Sequence, residues 1–163
     1  MKKLAILYSE YTPAIDAVKF QLDGIADIHT FKSEDEIDFE RYDIVVAVNY
    51  DGETKNNVLK THYSLLPAFE GDEPLKQAIL SGVKVTGITV YYSGTKEIIT
   101  QYPIFIKNGA HYDEILQELK YLEQTILPVT IKKILQNEPF EIRDLIGGNS
   151  CSGSCAGCKG CSN

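Results

Sequence analysis

The sequence predicts an α/β protein with a mostly parallel sheet and flanking helices. The first observation is an apolar run of strand length, Leu4 to Tyr8, followed by apolar residues at helical spacing. The second is the run Asp43 to Val48, which is continuously apolar after its first residue, as strands are when a parallel sheet is buried on both faces. The alternation of the two signals predicts an α/β class.

Each element of the first half has its own signal. Thr12 is a good N-cap, Pro13 is favoured at a first helical position, and Gly24 provides a stop, so a helix is predicted between them. A second strand is predicted over 26–30. The acidic segment 34–40 predicts one helical turn.

The third quarter of the chain predicts one helix and several strands. Glu73-Pro74 opens a helix that Gly82 stops. Residues 83–92 are rich in Val, Thr, Ile and Tyr, which are typical of a strand. Segments 98–101 and 104–107 are predicted as two further short strands.

The last quarter predicts a long helix and a linker. The helix begins near Asp113, and Pro128 is expected to interrupt and kink it before 129–135 continue. Residues 139–145 are predicted to form a strand or turn. We expect a single domain over 1–146 and a Gly/Ser/Cys-rich tail over 147–163.

Charge and composition limit the partners. The net charge of -7 argues against nucleic acid or an anionic membrane as the main partner. Met1-Lys2-Lys3 leads directly into a strand, and no apolar stretch approaches the length of a membrane span. We therefore expect a cytoplasmic protein that acts on a small molecule, and the sequence leaves its oligomeric state open.

The four cysteines all lie in the last 13 residues, as Cys151, Cys155, Cys158 and Cys161. A disulfide scaffold would spread its cysteines over the elements that it joins, which this arrangement cannot do. The spacing C-x3-C-x2-C-x2-C lets neighbouring thiolates reach one ion. We predict a [4Fe–4S] cluster or Zn²⁺ on this tail, with redox dithiols as the remaining alternative.

The middle of the chain carries a family resemblance. The loop Thr61-His62-Tyr63-Ser64-Leu65-Leu66-Pro67 resembles the His-Pro-Ser-Leu-Leu-Pro loop of the formyltransferases that use 10-formyltetrahydrofolate. Gln77 to Val90 is similar to the helix, glycine turn and strand that follow it there. Ile98-Ile99-Thr100-Gln101 and Leu122 to Pro128 are similar to the family's Ile-Ile-x-Gln strand and long helix. The resemblance implies a compact Rossmann-like formyltransferase fold.

The resemblance also implies a catalytic group that is only partly present. The family uses an Asn, a His and an Asp to stabilise the oxyanion and to move the amine proton. The His falls on His62, the Asn on Lys60 and the Asp on Gly94. His62 and Lys60 are therefore the catalytic candidates, and the position of Gly94 has lost its carboxylate.

Cofactor binding follows from the same resemblance. It implies 10-formyltetrahydrofolate as the cofactor and Ser64, Leu65 and Leu66 as residues that contact it. The turn Ser9 to Pro13 replaces the family's glycine-rich phosphate turn, with Glu10 adding negative charge and Pro13 removing an N–H. Two functions stay open: transfer of a formyl or related one-carbon group to a small amine, or small-molecule binding without this catalysis beside an iron–sulfur or zinc tail.

Overall fold

The computed structural model of the chain describes residues 1–139. Its six strands are β1 Lys2–Leu7, β2 Ala26–Phe31, β3 Ile44–Ala47, β4 Leu59–His62, β5 Val85–Tyr92 and β6 Ile98–Phe105. Its three α-helices are α1 Pro13–Gln21, α2 Pro74–Leu80 and α3 Tyr112–Gln136. Two 3₁₀ turns, Glu34–Glu36 and Phe39–Arg41, replace the single helical turn expected over 34–40.

The six strands form one sheet in the order β2-β1-β3-β4-β5-β6. The pairs from β2 to β4 are parallel, and β5 and β6 extend the sheet antiparallel to their neighbours. The predicted α/β class with a mostly parallel sheet is confirmed.

The two faces of the sheet have different covers. In β1, Leu4 and Ile6 belong to a core cluster that includes residues of α1, α2 and α3. Ala5 and Leu7 point to the other face, as strand alternation requires, and join a smaller cluster made by strands and loops. Among residues 1–139, that smaller cluster contains no buried residue from an α-helix.

α3 runs unbroken through Pro128, so the predicted interruption is wrong. An interior proline costs about 3 kcal/mol or more. Ile126, Leu127 and Ile131 are almost fully buried around it, and each such side chain contributes roughly 1.5–3 kcal/mol. Burial therefore outweighs the cost of the proline.

None of the helices in the described part of the chain combines the length and apolarity that a bilayer crossing requires.

Two strands differ from the prediction. β4 was not predicted, because Leu59-Lys60-Thr61-His62 has one apolar residue and no strand alternation. β6 is one strand where two were expected, and it includes Pro103. An edge strand tolerates proline because one side of its backbone needs no strand partner. The strand or turn expected over 139–145 and the tail 147–163 lie outside the described residues, apart from residue 139.

Candidate active site

β4 brings the two catalytic candidates to one face of the sheet. Lys60 pairs directly with Tyr91 of β5, and the rings of His62 and Tyr91 meet edge to face with centroids 6.4 Å apart. Thr61 points to the opposite face, where its hydroxyl bonds to Glu123 of α3. Since alternate residues of a strand share a face, Lys60 and His62 project to the same side.

The hydrogen bond of His62 fixes its tautomer. Nε2 of the ring lies 3.0 Å from the carbonyl oxygen of Phe69. A carbonyl can only accept, so Nε2 carries the proton and Nδ1 is the basic nitrogen of the neutral ring. Nδ1 is thus the atom of His62 that can take a proton from a substrate.

Two residues of the neighbouring strands hold the loop after His62. Thr89 Oγ1 donates to the carbonyl of Ser64 at 2.6 Å and accepts from the backbone N–H of Leu66 at 3.1 Å. Gln101 Nε2 donates to the carbonyl of Leu66 at 2.8 Å and to Thr89 Oγ1 at 3.0 Å. The loop is therefore fixed by polar side chains of β5 and β6.

The three predicted cofactor contacts lie in different environments. The side chain of Ser64 is fully buried, and its hydroxyl donates to the carbonyl of Ala68 at 2.6 Å. Leu65 and Leu66 are partly exposed. A Cβ atom on Gly87 would lie 2.6 Å from Leu65 Cδ2, so glycine lets Leu65 pack onto β5. A folate contact through the Ser64 hydroxyl would require the loop to open.

Charged groups surround the partly buried Lys60. Burial is the largest influence and lowers the pKa of the Lys60 ammonium. The carboxylate of Glu34 opposes this change, and the ammonium of Lys96 adds to it. Burial and the charge of Glu70 raise the pKa of the neighbouring Tyr91 phenol.

A short loop occupies the space beside Gly94. Asn57 Oδ1 accepts from the backbone N–H groups of Gly94 and Thr95 at 3.0 and 3.1 Å. A Cβ atom on Gly94 would lie 2.9 Å from that oxygen and 3.1 Å from Asn57 Cα. The loop that carries Asn57 would therefore have to shift to admit a side chain at position 94.

Glu34 organises the same loop from the other side. Its buried carboxylate accepts hydrogen bonds from the backbone N–H groups of Lys55 and Asn56 and from Asn56 Nδ2, at 2.9–3.2 Å. Burial alone would raise the pKa of Glu34, but these bonds and the charge of Lys55 lower it below its usual value. Glu34 is therefore a buried anion that fixes the loop. Its negative charge also stabilises the ammonium of Lys60.

Ser9, in the turn between β1 and α1, forms hydrogen bonds with the segment that follows β3. The backbone N–H of Ser9 donates to the carbonyl of Asn49 at 3.0 Å, and Ser9 Oγ accepts from the N–H of Asp51 at 3.0 Å. Two open cavities, of about 510 and 370 Å³, lie at β2 and between α2 and α3. Neither of these two cavities is lined by Lys60 or His62.

Several contacts around the site could not be predicted from the sequence. Tyr91 follows from strand alternation only once β4 is known to lie beside β5. Glu123 and its partner Thr61 are far apart in the chain, so no local pattern connects them.

The four tail cysteines lie outside the described residues. Within residues 1–139, no group of three or more His, Cys, Asp or Glu side chains is placed to hold a metal ion.

Comparison with known proteins covers more than half of the chain. Residues 42–131 match the family described as formyl transferase. A methionyl-tRNA formyltransferase of Halalkalibacterium halodurans is 33% identical over 88 residues, which cover 52% of this chain and 28% of that protein. A phosphoribosylglycinamide formyltransferase of Bacillus subtilis is 40% identical over 82 residues, covering 48% and 42%. The chain spans less than half the length of these relatives.

Solved structures agree at the level of the fold. The phosphoribosylglycinamide formyltransferase of Bacillus halodurans superposes with a TM-score of 0.69 at 22% identity, over 86% of this chain and 100% of that one. The enzyme of Brucella melitensis gives a TM-score of 0.70 at 17% identity, over 82% and 95%. The sheet with its helices is thus shared with these structures.

Proposed function

The chain belongs to the formyl transferase family, and from this premise we propose that it transfers a formyl or related one-carbon group to a small-molecule amine. The donor is 10-formyltetrahydrofolate. The observation that carries the proposal is the loop after His62, which Thr89 and Gln101 hold, with Lys60 and His62 on one face of the sheet. Because the matches cover less than half of each relative, they leave the identity of the amine open.

The proposed chemistry assigns one role to each candidate. The amine attacks the formyl carbon, and the ammonium of Lys60 donates a hydrogen bond to the oxygen as its negative charge develops. Nδ1 of His62 takes the proton that the attacking amine loses. The bond between the formyl carbon and the folate nitrogen then breaks, and the same proton passes to that nitrogen. The formyl group and one proton thus exchange places.

The loss of a carboxylate at Gly94 favours a second candidate function. With no aspartate there, a proton carrier of the family is absent, and Asn57 occupies its space. The second candidate is a small-molecule-binding protein without formyl transfer. Its chemistry would lie in Cys151, Cys155, Cys158 and Cys161, which we propose hold a [4Fe–4S] cluster or Zn²⁺.

Calorimetry with a stable analogue of 10-formyltetrahydrofolate tests the first function. We expect heat of binding and a raised unfolding temperature with the wild-type protein. Turnover of the true cofactor with a panel of small amines should fall in Lys60→Met and His62→Gln but not in the control Lys132→Met. Absence of both heat and thermal shift would remove the first candidate.

Analysis of anaerobically purified protein tests the tail. Iron and sulfide in equal amounts, with visible absorption that Cys155→Ser and Cys158→Ser abolish together, would identify a cluster. One zinc ion per chain without visible absorption would identify zinc. Free thiols with neither iron nor zinc bound in the anaerobically purified protein would contradict a metal-binding tail.

A further inference from the structure

The cavity of about 510 Å³ lies over β2 and the start of β1, away from Lys60 and His62. Lys3, His29 and Arg41 line it together with Phe31 and Tyr42. Lys3 precedes Leu4 in β1, and alternation directs its side chain to the sheet face of the smaller cluster, which holds Ala5 and Leu7. β2 is an edge strand, so the cavity lies at the border of the sheet. Its volume is within the range that holds a small ligand.

The cations of this cavity are not used by the fold. Within residues 1–139, neither the Lys3 ammonium nor the Arg41 guanidinium has an ion pair or a side-chain hydrogen bond. No Asp or Glu is among the lining residues, although the chain carries a net charge of -7. This cavity of an acidic protein is thus lined by two cations without ion pairs, Lys3 and Arg41, and by the imidazole of His29.

The nearby carboxylates are already engaged. Asp43 accepts from Lys2 Nζ at 2.9 Å and from the backbone N–H of Lys3 at 2.8 Å. Asp27 lies 3.6 Å from Nε2 of His29. These carboxylates reduce the positive potential around the cavity, but neither reaches the ends of Lys3 or Arg41.

An aromatic wall closes one side. The Tyr42 ring meets His29 and Phe31 edge to face, with centroids 5.7 and 5.8 Å apart. Tyr42 Oη lies 3.0 Å from Nδ1 of His29, which fixes both rings. A fixed, partly exposed wall of rings accepts a planar group at low cost in conformational entropy.

From this juxtaposition of Lys3 and Arg41 with the Tyr42 wall, we propose that the cavity binds a phosphate monoester whose sugar carries an aromatic base, that is, a mononucleotide. The guanidinium of Arg41 matches two phosphate oxygens, and Lys3 adds a point charge. The ring of the ligand lies against Tyr42 and Phe31. This site is separate from the proposed catalytic face and does not depend on formyl transfer.

Titration of the full chain with AMP, followed by amide NMR, tests the proposal. We expect saturable shifts that centre on residues 28–31 and 41–42. Arg41→Gln and Lys3→Gln should each weaken AMP binding by about ten-fold, because each variant loses a charge-assisted hydrogen bond to the phosphate. Lys132→Gln makes the same charge change on the exposed side of α3 and should leave the affinity unchanged.

Two further probes separate the parts of the ligand. Inorganic phosphate should bind about ten-fold more weakly than AMP, because it lacks the ring. Adenosine should cause no saturable shift, because it lacks the anion. Shifts that map away from the cavity, equal affinity for phosphate and AMP, or equal losses in Arg41→Gln and Lys132→Gln would overturn the proposal.

Discussion

The hydroxyl of Tyr63 donates a 2.8 Å hydrogen bond to Oε2 of Glu123, a buried carboxylate of α3. Thr61 bonds to the other oxygen of the same carboxylate. The two donors lie immediately before and after His62 in the chain. One carboxylate beneath the sheet therefore fixes both neighbours of the proposed catalytic histidine.

Tyr63→Phe should lower the free energy of unfolding by about 1–3 kcal/mol, because one oxygen of a buried carboxylate loses its donor. Urea unfolding at neutral pH measures the change. Tyr121→Phe removes a hydroxyl from a side chain that is 70% exposed and should change the free energy little. Equal effects of the two substitutions would contradict a stabilising role for the Tyr63 hydrogen bond.

Glu123 should give the protein a pH dependence that Glu123→Gln removes. Burial raises the pKa of Glu123, and the bonds from Thr61 and Tyr63 only partly oppose it. The folded state then holds the proton of Glu123 more tightly than the unfolded state does, where a glutamate carboxyl has a pKa of about 4.3. The contribution of Glu123 to the free energy of unfolding is therefore fully present below the unfolded-state pKa. It is lost as pH rises through the higher pKa of the folded state.

The measurement is the difference in unfolding free energy between wild-type protein and Glu123→Gln across that range. We expect wild type to lose stability relative to the variant as pH rises, because the amide of the variant has no proton to release. A difference that stays constant with pH, or one with the opposite slope, would show that burial does not raise the pKa of Glu123.

Lys60 should titrate below the ordinary lysine pKa of about 10.4. Burial and the charge of Lys96 both lower the pKa of Lys60. Lys96→Gln should therefore raise it, while Lys132→Gln should not, as followed by NMR of isotope-labelled, reductively methylated lysines. If the signal of Lys60 titrates like that of an exposed lysine in the wild-type protein, the environment proposed for it is wrong.

Gly94→Asp should destabilise the protein and fail to restore a catalytic carboxylate. The new Cβ atom would lie 3.1 Å from Asn57 Cα, which is backbone and cannot rotate away. Overpacking of this kind costs typically about 1–3 kcal/mol. Thermal unfolding measures the loss, and an unchanged transition would mean that the loop with Asn57 yields easily.

The fold was largely predictable because its central signals are local. The apolar run of β3 indicates a buried parallel strand without knowledge of its neighbours. β4 could not be found in this way, since Lys60, Thr61 and His62 are polar and the strand is defined by pairing with β3 and β5. Pro128 is the converse case, where a strong local signal was overridden by burial of the helix around it.

The candidate site was predictable only where a motif marked it. The loop resemblance identified Lys60 and His62 from consecutive residues. Their neighbours come from elsewhere in the chain: Tyr91 from β5, Lys96 from the loop after β5, and Glu123 from α3. Their positions follow from three-dimensional packing, which spacing along the chain does not encode.

NMR of histidine ring nitrogens during addition of a stable 10-formyltetrahydrofolate analogue tests the proposed site most directly. His111 is the internal control, since the chain has 3 histidines and His29 lines the cavity proposed to bind a mononucleotide. We predict that Nδ1 of His62 shifts in proportion to bound ligand while the His111 ring stays unchanged. Saturable binding that leaves the His62 signals in place would contradict a folate site on this face of the sheet.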